Sequence, residues 1–287
     1  MSLSGGNWLW SASLRYLFTL PLLLLIVQQR RGLSPLLANL RQFWKRWLLW
    51  SSIGFGLFYA PLCFAASFGP AWLVSGTWQL TIVAGSLMGP WLQPKDRKRV
   101  PISSLVVSLG IIGGICLMQF GRSEQIDVIQ TLLIVVPLLL AAFAYPLGNR
   151  MMMAHCGAAF DTFARMLGMT IASLPIWLAL AVLGLAEDGL PAMPILGQSL
   201  VVALFSGIIA TGLFFSATNL ARRDPRQLAA VEATQSLEVV FSLLGEMILL
   251  HAVLPDPMAL LGMAIVIIGM FAHSLLARQA SAAAGTV

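Results

Sequence analysis

Residues 129–149 read IQTLLIVVPLLLAAFAYPLGN, a run of 21 residues without a charged side chain. A helix needs about 20 mostly apolar residues to cross the hydrocarbon core of a bilayer, so this run predicts a transmembrane helix. The whole chain of 287 residues has the same character: 59% of its residues are hydrophobic, 10% are charged, and its mean hydropathy is +0.87. Soluble domains carry about 25% charged residues. This composition excludes a cytosolic enzyme, a disordered chain and a disulfide-stapled secreted fold.

Apolar runs of similar length recur along the chain, separated by short connections. They predict an all-α fold, a polytopic membrane helix bundle with about nine transmembrane helices. The predicted spans lie near residues 7–28, 47–67, 71–91, 101–120, 129–149, 162–185, 197–219, 227–250 and 257–277.

Lysine and arginine predict the orientation of the bundle, because they are enriched in cytoplasmic loops. With the C-terminus in the cytoplasm, fourteen of these residues fall inside and only Arg122 falls in an outside loop. Because this rule accounts for the net charge of +6, we expect no nucleic-acid partner. The inside residues are Arg30, Arg31, Arg41, Lys45, Arg46, Lys95, Arg97, Lys98, Arg99, Arg150, Arg222, Arg223, Arg226 and Arg278.

An internal repeat emerges when the chain is displaced by 156 residues against itself. Five spans separate the matched segments, which therefore cross the membrane in opposite senses, as in the inverted repeats of many secondary transporters. Further upstream, Arg15 has a counterpart in Arg165. The displacement matches residues 56–59 (GLFY) with 212–215 (GLFF), Ala65 with Ala221, Gln79 with Gln235, Val83 with Val239, and 86–89 (SLMG) with 242–245 (SLLG).

The two repeats are unequal in length. Residues 1–127 hold four predicted helices and form the first inverted repeat, whereas residues 128–287 hold five and form the second. This count predicts a ten-helix transporter fold without its first helix, which would precede Met1. In such folds the substrate site lies near the bilayer midplane, between the repeats.

Several motifs resemble those of the drug/metabolite transporter superfamily (EamA-like), and more narrowly its multidrug resistance efflux branch. The resemblance implies ten helices in two inverted five-helix repeats and the efflux of small molecules. It covers nearly the whole chain and departs from the family at the start, where the first helix is missing. The motifs are 6–16 (GNWLWSASLRY), 54–61 (GFGLFYAP), 69–73 (GPAWL), 76–79 (GTWQ), 145–150 (YPLGNR), 231–236 (VEATQS) and 245–246 (GE).

Polar side chains form stripes on two helices that the repeat relates to each other. On an α-helix, Glu232, Gln235, Val239, Ser242 and Glu246 fall on one face. A matching stripe on the third span runs through Ser75, Gln79 and Ser86, with Trp78 beside it. These stripes predict a polar cavity that Trp78 could line by stacking on a ligand. Hydrogen bonding between packed helices is the alternative role for Gln79, Gln235 and the serines.

Glu232 and Glu238 are the predicted proton-coupling residues. A carboxyl group within hydrocarbon is costly and marks a functional site by default. Such a group can hold either a proton from outside or a cationic substrate from inside. The alternative is a structural ion pair with Arg15 or Arg165. Glu246 lies near the end of its span, where a role at a helix terminus is expected instead.

Two expectations concern the buried arginines and the tryptophans. Arg15 and Arg165 either hold helices in register or face the cavity and bind an anionic group, for which the planar guanidinium is suited. The tryptophans near span ends predict an interfacial belt. They are Trp8, Trp10, Trp44, Trp47, Trp50, Trp72, Trp91 and Trp177.

These observations together predict an inner-membrane secondary transporter that exports drugs or metabolites by alternating access, with protons as the coupling ion. The alternatives are an uncoupled exporter of amino acids or other metabolites, and a non-transporting membrane partner subunit. The sequence holds no P-loop, HExxH or GxSxG motif, so no enzyme activity, cofactor or metal is expected. Both a monomer and a homodimer remain open.

Overall fold

A computed structural model describes residues 7–30, 32–92, 102–120, 128–156, 159–221, 227, 231 and 234–284. Helices dominate these ranges, as the sequence predicts. The α-helices are α1 (Trp8–Arg30), α2 (Ser34–Gln42), α3 (Trp44–Ser51), α4 (Leu57–Ala65), α5 (Ala71–Trp78), α6 (Leu80–Leu92), α7 (Ile102–Phe120), α8 (Val128–Cys156), α9 (Thr162–Asp188), α10 (Met193–Val202), α11 (Thr211–Ala221), α12 (Leu237–Leu249) and α13 (Pro257–Ala284). Two π-helical segments, π1 (Ser52–Gly56) and π2 (Ala203–Ala210), and a 3₁₀ turn (Thr234–Ser236) complete the elements.

Six helical stretches in the described part of the chain are long and apolar enough to cross a membrane. They confirm six predicted spans, those near 7–28, 47–67, 129–149, 162–185, 197–219 and 257–277. The span predicted at 101–120 is α7, which is apolar over the shorter range Leu105–Phe120. The span predicted at 71–91 is divided at Gln79 into α5 and α6. The 3₁₀ turn and α12 fall in the span predicted at 227–250.

The chain folds into two compact units. Unit 1 comprises Met1–Ser67 and Ala144–Ser216, and unit 2 comprises Phe68–Phe143 and Ala217–Val287. Each unit therefore draws helices from both predicted repeats. The repeat boundaries at 1–127 and 128–287 stay a prediction of the sequence.

In unit 1, the helix α1 packs along α9. A second close contact joins π1 to the end of α8, where Gly54 meets Gly148. A methyl group added to Gly148 would overlap the backbone of Gly54 and would lie 2.8 Å from the carbonyl oxygen of Trp50. Only glycine permits this approach, because real Cβ contacts are longer than these.

In unit 2, α7 packs along α13 and α5 packs against α12. The α7–α13 contact also depends on glycines. A methyl group added to Gly114 would lie 2.8 Å from the carbonyl oxygen of Gly262, and one added to Gly262 would lie 2.5 Å from the oxygen of Gly114. Small residues commonly let membrane helices approach in this way.

The outer faces of both units are apolar. Leu213 and Val182 in unit 1 and Phe241 and Ile268 in unit 2 each leave about two thirds of their surface exposed, between 65% and 68%. Soluble monomers rarely expose extended apolar patches of this kind. Contact with lipid hydrocarbon accounts for them.

Candidate functional site

Arg15 lies inside unit 1, on α1, with 7% of its surface exposed. Its guanidinium carbon lies 4.2 Å from the ring centroid of Tyr59 and 5.1 Å from that of Tyr16. One guanidinium nitrogen, Nη2, donates a long hydrogen bond of 3.4 Å to the hydroxyl oxygen of Ser206. The Nε–H group has no hydrogen-bond partner.

Aromatic rings surround this arginine. Tyr16 stacks on Trp177, with ring centroids 4.0 Å apart and planes only 6° from parallel. Phe55 contacts the same tyrosine at 5.3 Å, and Tyr59 meets it edge to face at 5.6 Å. The indole of Trp177 is fully buried and donates to the hydroxyl of Ser173 at 2.9 Å. The rings thus form a fixed wall beside the cation.

Arg165 lies on α9, equally buried, with its guanidinium carbon 4.8 Å from the ring centroid of Phe215. The displacement of 156 residues matches Tyr59 with Phe215, and Arg15 has its predicted counterpart in Arg165, 150 residues further along the chain. Unit 1 therefore contains two arginine–ring pairs, at positions that the predicted repeat relates to each other. Arginine over an aromatic face is a favourable cation–π arrangement.

Both π-helical segments of the described chain lie beside Arg15. Phe55 of π1 contacts Tyr16, and Ser206 of π2 accepts the hydrogen bond from Arg15. A π-helical turn is rare and often occurs at functional sites, because it displaces side chains and loosens the α-helical hydrogen-bond ladder. This coincidence makes the surroundings of Arg15 one candidate site.

The second group of predicted site residues lies in unit 2. Gln79 forms the turn between α5 and α6 and is fully buried. Its side-chain nitrogen donates to the carbonyl oxygen of Ser75 at 3.0 Å, while its side-chain oxygen has no partner. The preceding residue, Trp78, is also buried. Gln235, its predicted repeat partner, lies in the 3₁₀ turn before α12.

Glu238 and Ser242 follow on α12, one turn apart. The carboxyl side chain of Glu238 is exposed, and it makes no hydrogen bond or ion pair with another residue in the described part of the chain. Ser242 is half-buried. Between them Val239 is fully buried, and its Cγ1 would lie 3.9 Å from a methyl group added to Gly76 of α5. The contact brings the helices of the two polar stripes together. Glu232 lies outside the described residues.

Glu246 has a structural role. Its carboxylate accepts hydrogen bonds from the backbone N–H groups of Ala71, at 3.0 Å, and Trp72, at 3.4 Å. These are unpaired donors at the start of α5, so Glu246 caps that helix. The sequence predicts a helix-end or interfacial role for Glu246 at the end of its own span, whereas the structure shows its carboxylate at the start of a different helix, α5.

The structure places the predicted site residues in different units. Arg15 and Arg165 belong to unit 1. The predicted site residues in unit 2 are Trp78, Gln79, Gln235, Glu238 and Ser242. Among the described residues no carboxylate contacts Arg15, so the alternative of an ion pair is not observed there.

Sequence reasoning missed Tyr16, Tyr59 and Ser206, which surround Arg15. The prediction of an interfacial belt is wrong for Trp47 and Trp177, which are fully buried in unit 1. Trp177 lies eight residues before the end of its predicted span, a signal that it is not interfacial. The spacing along the chain could not show that Tyr59 reaches Arg15, since the two lie on different helices.

The family profile EmrE, described as "Putative multidrug resistance efflux transporter", matches residues 1–279. The chain belongs to this family. A Bacillus subtilis relative, "Uncharacterized protein YjlA", is 50% identical over 283 residues, 96% of this chain and 87% of the relative. A Shouchella clausii relative, "Uncharacterized 42.1 kDa protein in intracellular alkaline protease 3'region", is 45% identical over 244 residues, 83% of this chain and 64% of the relative. Membership confirms the resemblance to drug/metabolite transporters, and with the apolar helices it identifies an integral membrane protein of an efflux-transporter family.

Proposed function

We propose that this transporter exports small organic molecules across the inner membrane in exchange for protons, by alternating access. The observation that carries the proposal is Glu238. It is an ionisable side chain in the first turn of α12, exposed and without a partner in the described part of the chain. Charged groups within apolar spans are costly and persist where a pathway needs them.

Proton exchange follows from the chemistry of an unpaired carboxyl group. Facing the outside, Glu238 takes up a proton; facing the cytoplasm, it releases the proton and the site becomes able to bind the solute. Glu232, also predicted from the sequence, is the second candidate for this role. Because proton and solute exclude each other, the inward movement of one drives the outward movement of the other.

The interrupted helices support a substrate pathway in unit 2. Broken helices line the binding sites of many secondary transporters, where they expose backbone and side-chain polar groups. Gln79 lies at such an interruption, between α5 and α6, and its side-chain oxygen has no partner, while Gln235 lies in the 3₁₀ turn before α12. Ser242 and Trp78 complete the proposed lining.

The test is proton movement in everted membrane vesicles that hold an imposed pH gradient. Lipophilic cations and amino acids are added in turn to wild type, Glu238→Gln and the control Glu187→Gln. Glu187 is exposed near the end of α9, outside the proposed pathway. We expect solute-triggered collapse of the gradient in wild type and Glu187→Gln and none in Glu238→Gln.

Other outcomes assign the alternatives. Solute efflux without proton movement would establish an uncoupled exporter. Collapse at the wild-type rate in Glu238→Gln would remove Glu238 from the coupling. The absence of flux with every solute would favour a non-transporting partner subunit.

The proposed orientation has a separate test. We propose that the C-terminus is cytoplasmic, because the basic residues of the connections then lie inside. A green fluorescent protein fused to the C-terminus should fluoresce in cells, and an alkaline phosphatase fused at the same place should be inactive. The reverse pattern would overturn the orientation.

A further inference from the structure

The guanidinium of Arg15 is a buried cation that has no counter-charge among the residues that the structure describes. Arginine stays protonated in proteins and carries five N–H donors. In the structure these donors make a long hydrogen bond to Ser206 at 3.4 Å and a second one to the hydroxyl group of Tyr16, whereas Nε has no partner. Buried charges are normally paired or fully hydrogen-bonded, because desolvation is otherwise uncompensated.

The aromatic rings compensate this charge only in part. Tyr59 and Tyr16 offer their π-faces to the cation. A ring face attracts the charge but supplies no lone pair to N–H groups that lie in the guanidinium plane. Apart from the hydroxyl groups of Ser206 and Tyr16, no acceptor is present among the described residues, and the Nε–H group of Arg15 has none in the structure.

The depth of Arg15 restricts which acceptor can reach it. Arg15 is the eighth residue of α1, which has 23 residues, and so lies about 10 Å along the helix from its start. A lipid headgroup stays near the membrane surface, outside this depth. Ser206, which accepts a hydrogen bond from the guanidinium, is itself exposed, so the cation lies one side chain away from the surface of unit 1.

The chemistry of the surroundings selects a carboxylate on a flat apolar body. A carboxylate matches the fork of arginine with two parallel hydrogen bonds. The stacked pair of Tyr16 and Trp177, together with Tyr59, provides aromatic surface beside it. A phosphate dianion would lose more hydration energy in this apolar setting.

We propose that Arg15 binds the carboxylate of the exported solute, an aromatic zwitterion whose flat part lies against Tyr16 and Tyr59. This assignment of the solute class rests on the proposed export function.

The test measures binding to the purified full chain in detergent, so it does not depend on transport. The probes are benzoate, indole-3-acetate and 2-naphthoate at millimolar concentration, each paired with its neutral amide. Binding is followed by calorimetry and by the fluorescence of the tryptophans. The variants are Arg15→Lys, Arg15→Gln and the control Arg30→Lys. Arg30 ends the same helix and lies 4.7 Å from the ring of Phe163, but it is exposed.

We expect wild type and Arg30→Lys to bind at least one acid and to prefer it to its amide. The loss of a bidentate charged pair should weaken that binding about tenfold or more in Arg15→Lys. Binding of the amide should stay the same. Tyr59→Phe, which keeps the ring, should bind as wild type, whereas Tyr59→Leu should bind the acid more weakly; this pair tests the site if the Arg15 variants fail to fold.

Three results would overturn the proposal. One is that none of the acids binds to wild type. Another is that Arg15→Gln binds acid as tightly as wild type. The third is that anionic phospholipid, added in micelles of neutral detergent, raises the melting temperature of wild type but not of Arg15→Gln, while the acids raise neither. That result would identify a lipid as the ligand of Arg15. Acid binding without any flux in vesicles would keep this inference and reject the export function.

Discussion

Two glutamates on α12 should respond in opposite ways to the same substitution. Glu246→Gln removes the charge that caps α5, where the carboxylate accepts two backbone hydrogen bonds at 3.0 and 3.4 Å. Hydrogen bonds to charged groups contribute about 1.5–3 kcal/mol, and a glutamine keeps one acceptor oxygen. We therefore expect a loss of about 2 kcal/mol, counting mainly the shorter bond. Glu238→Gln removes no described contact and should change stability by less than about 0.5 kcal/mol.

The assay is thermal unfolding of purified protein in one detergent, followed by tryptophan fluorescence. A loss of about 2 kcal/mol corresponds to a fall of roughly 4–8 °C in the melting temperature for a chain of this size class. Proton-coupled flux supplies the second readout. Glu246→Gln should retain flux at a temperature where it is folded, and Glu238→Gln should lose it. Equal melting temperatures for wild type and Glu246→Gln would refute the capping argument.

Two further predictions concern packing and capping in unit 1. Gly148→Ala should lower the melting temperature by several degrees, because its methyl group would overlap the backbone of Gly54. The control is Gly113→Ala, whose added methyl group has nothing within 4 Å. It should leave the melting temperature unchanged or raise it. If Gly148→Ala has the same melting temperature as the control, π1 and α8 can move apart without a loss of stability, which would contradict the packing argument. Asp161→Ala should lower the free energy of unfolding by about 1 kcal/mol in the same assay. The carboxylate of Asp161 caps α9, where it accepts a hydrogen bond from the N–H of Ala164 at 2.8 Å. An unchanged melting temperature would contradict this capping role.

The helices could be predicted from the sequence because a span has a fixed length. A bilayer demands about 20 apolar residues, and α8 and α9 satisfy this with almost no charge. The interruption at Gln79 could not be predicted. The run 71–91 contains no charged residue, so its pattern predicts one continuous helix, whereas the structure divides it at Gln79.

The candidate site could be predicted in its residue types but not in its partners. Placing an arginine within a membrane span is energetically unfavourable, so any such arginine is a functional candidate. This argument singles out Arg15 and Arg165. Their rings come from helices that are distant in sequence, and only the repeat alignment relates Tyr59 to Phe215. The sequence places Glu246 near the end of its own span, but the helix that it caps begins 175 residues earlier, at Ala71, which no local pattern could show.

The π-helical segment π1 has a consequence for how this chain tolerates insertions and deletions. Successive residues of an α-helix are turned by about 100° around its axis. Deleting one residue from Ser52–Gly56 would therefore rotate the whole of α4 by that angle and carry the ring of Tyr59 away from Arg15. A deletion that appears as a single gap in a sequence alignment would reorient every side chain of α4. The number of residues between Trp50 and Tyr59 is therefore as important for the site as the identity of the residues.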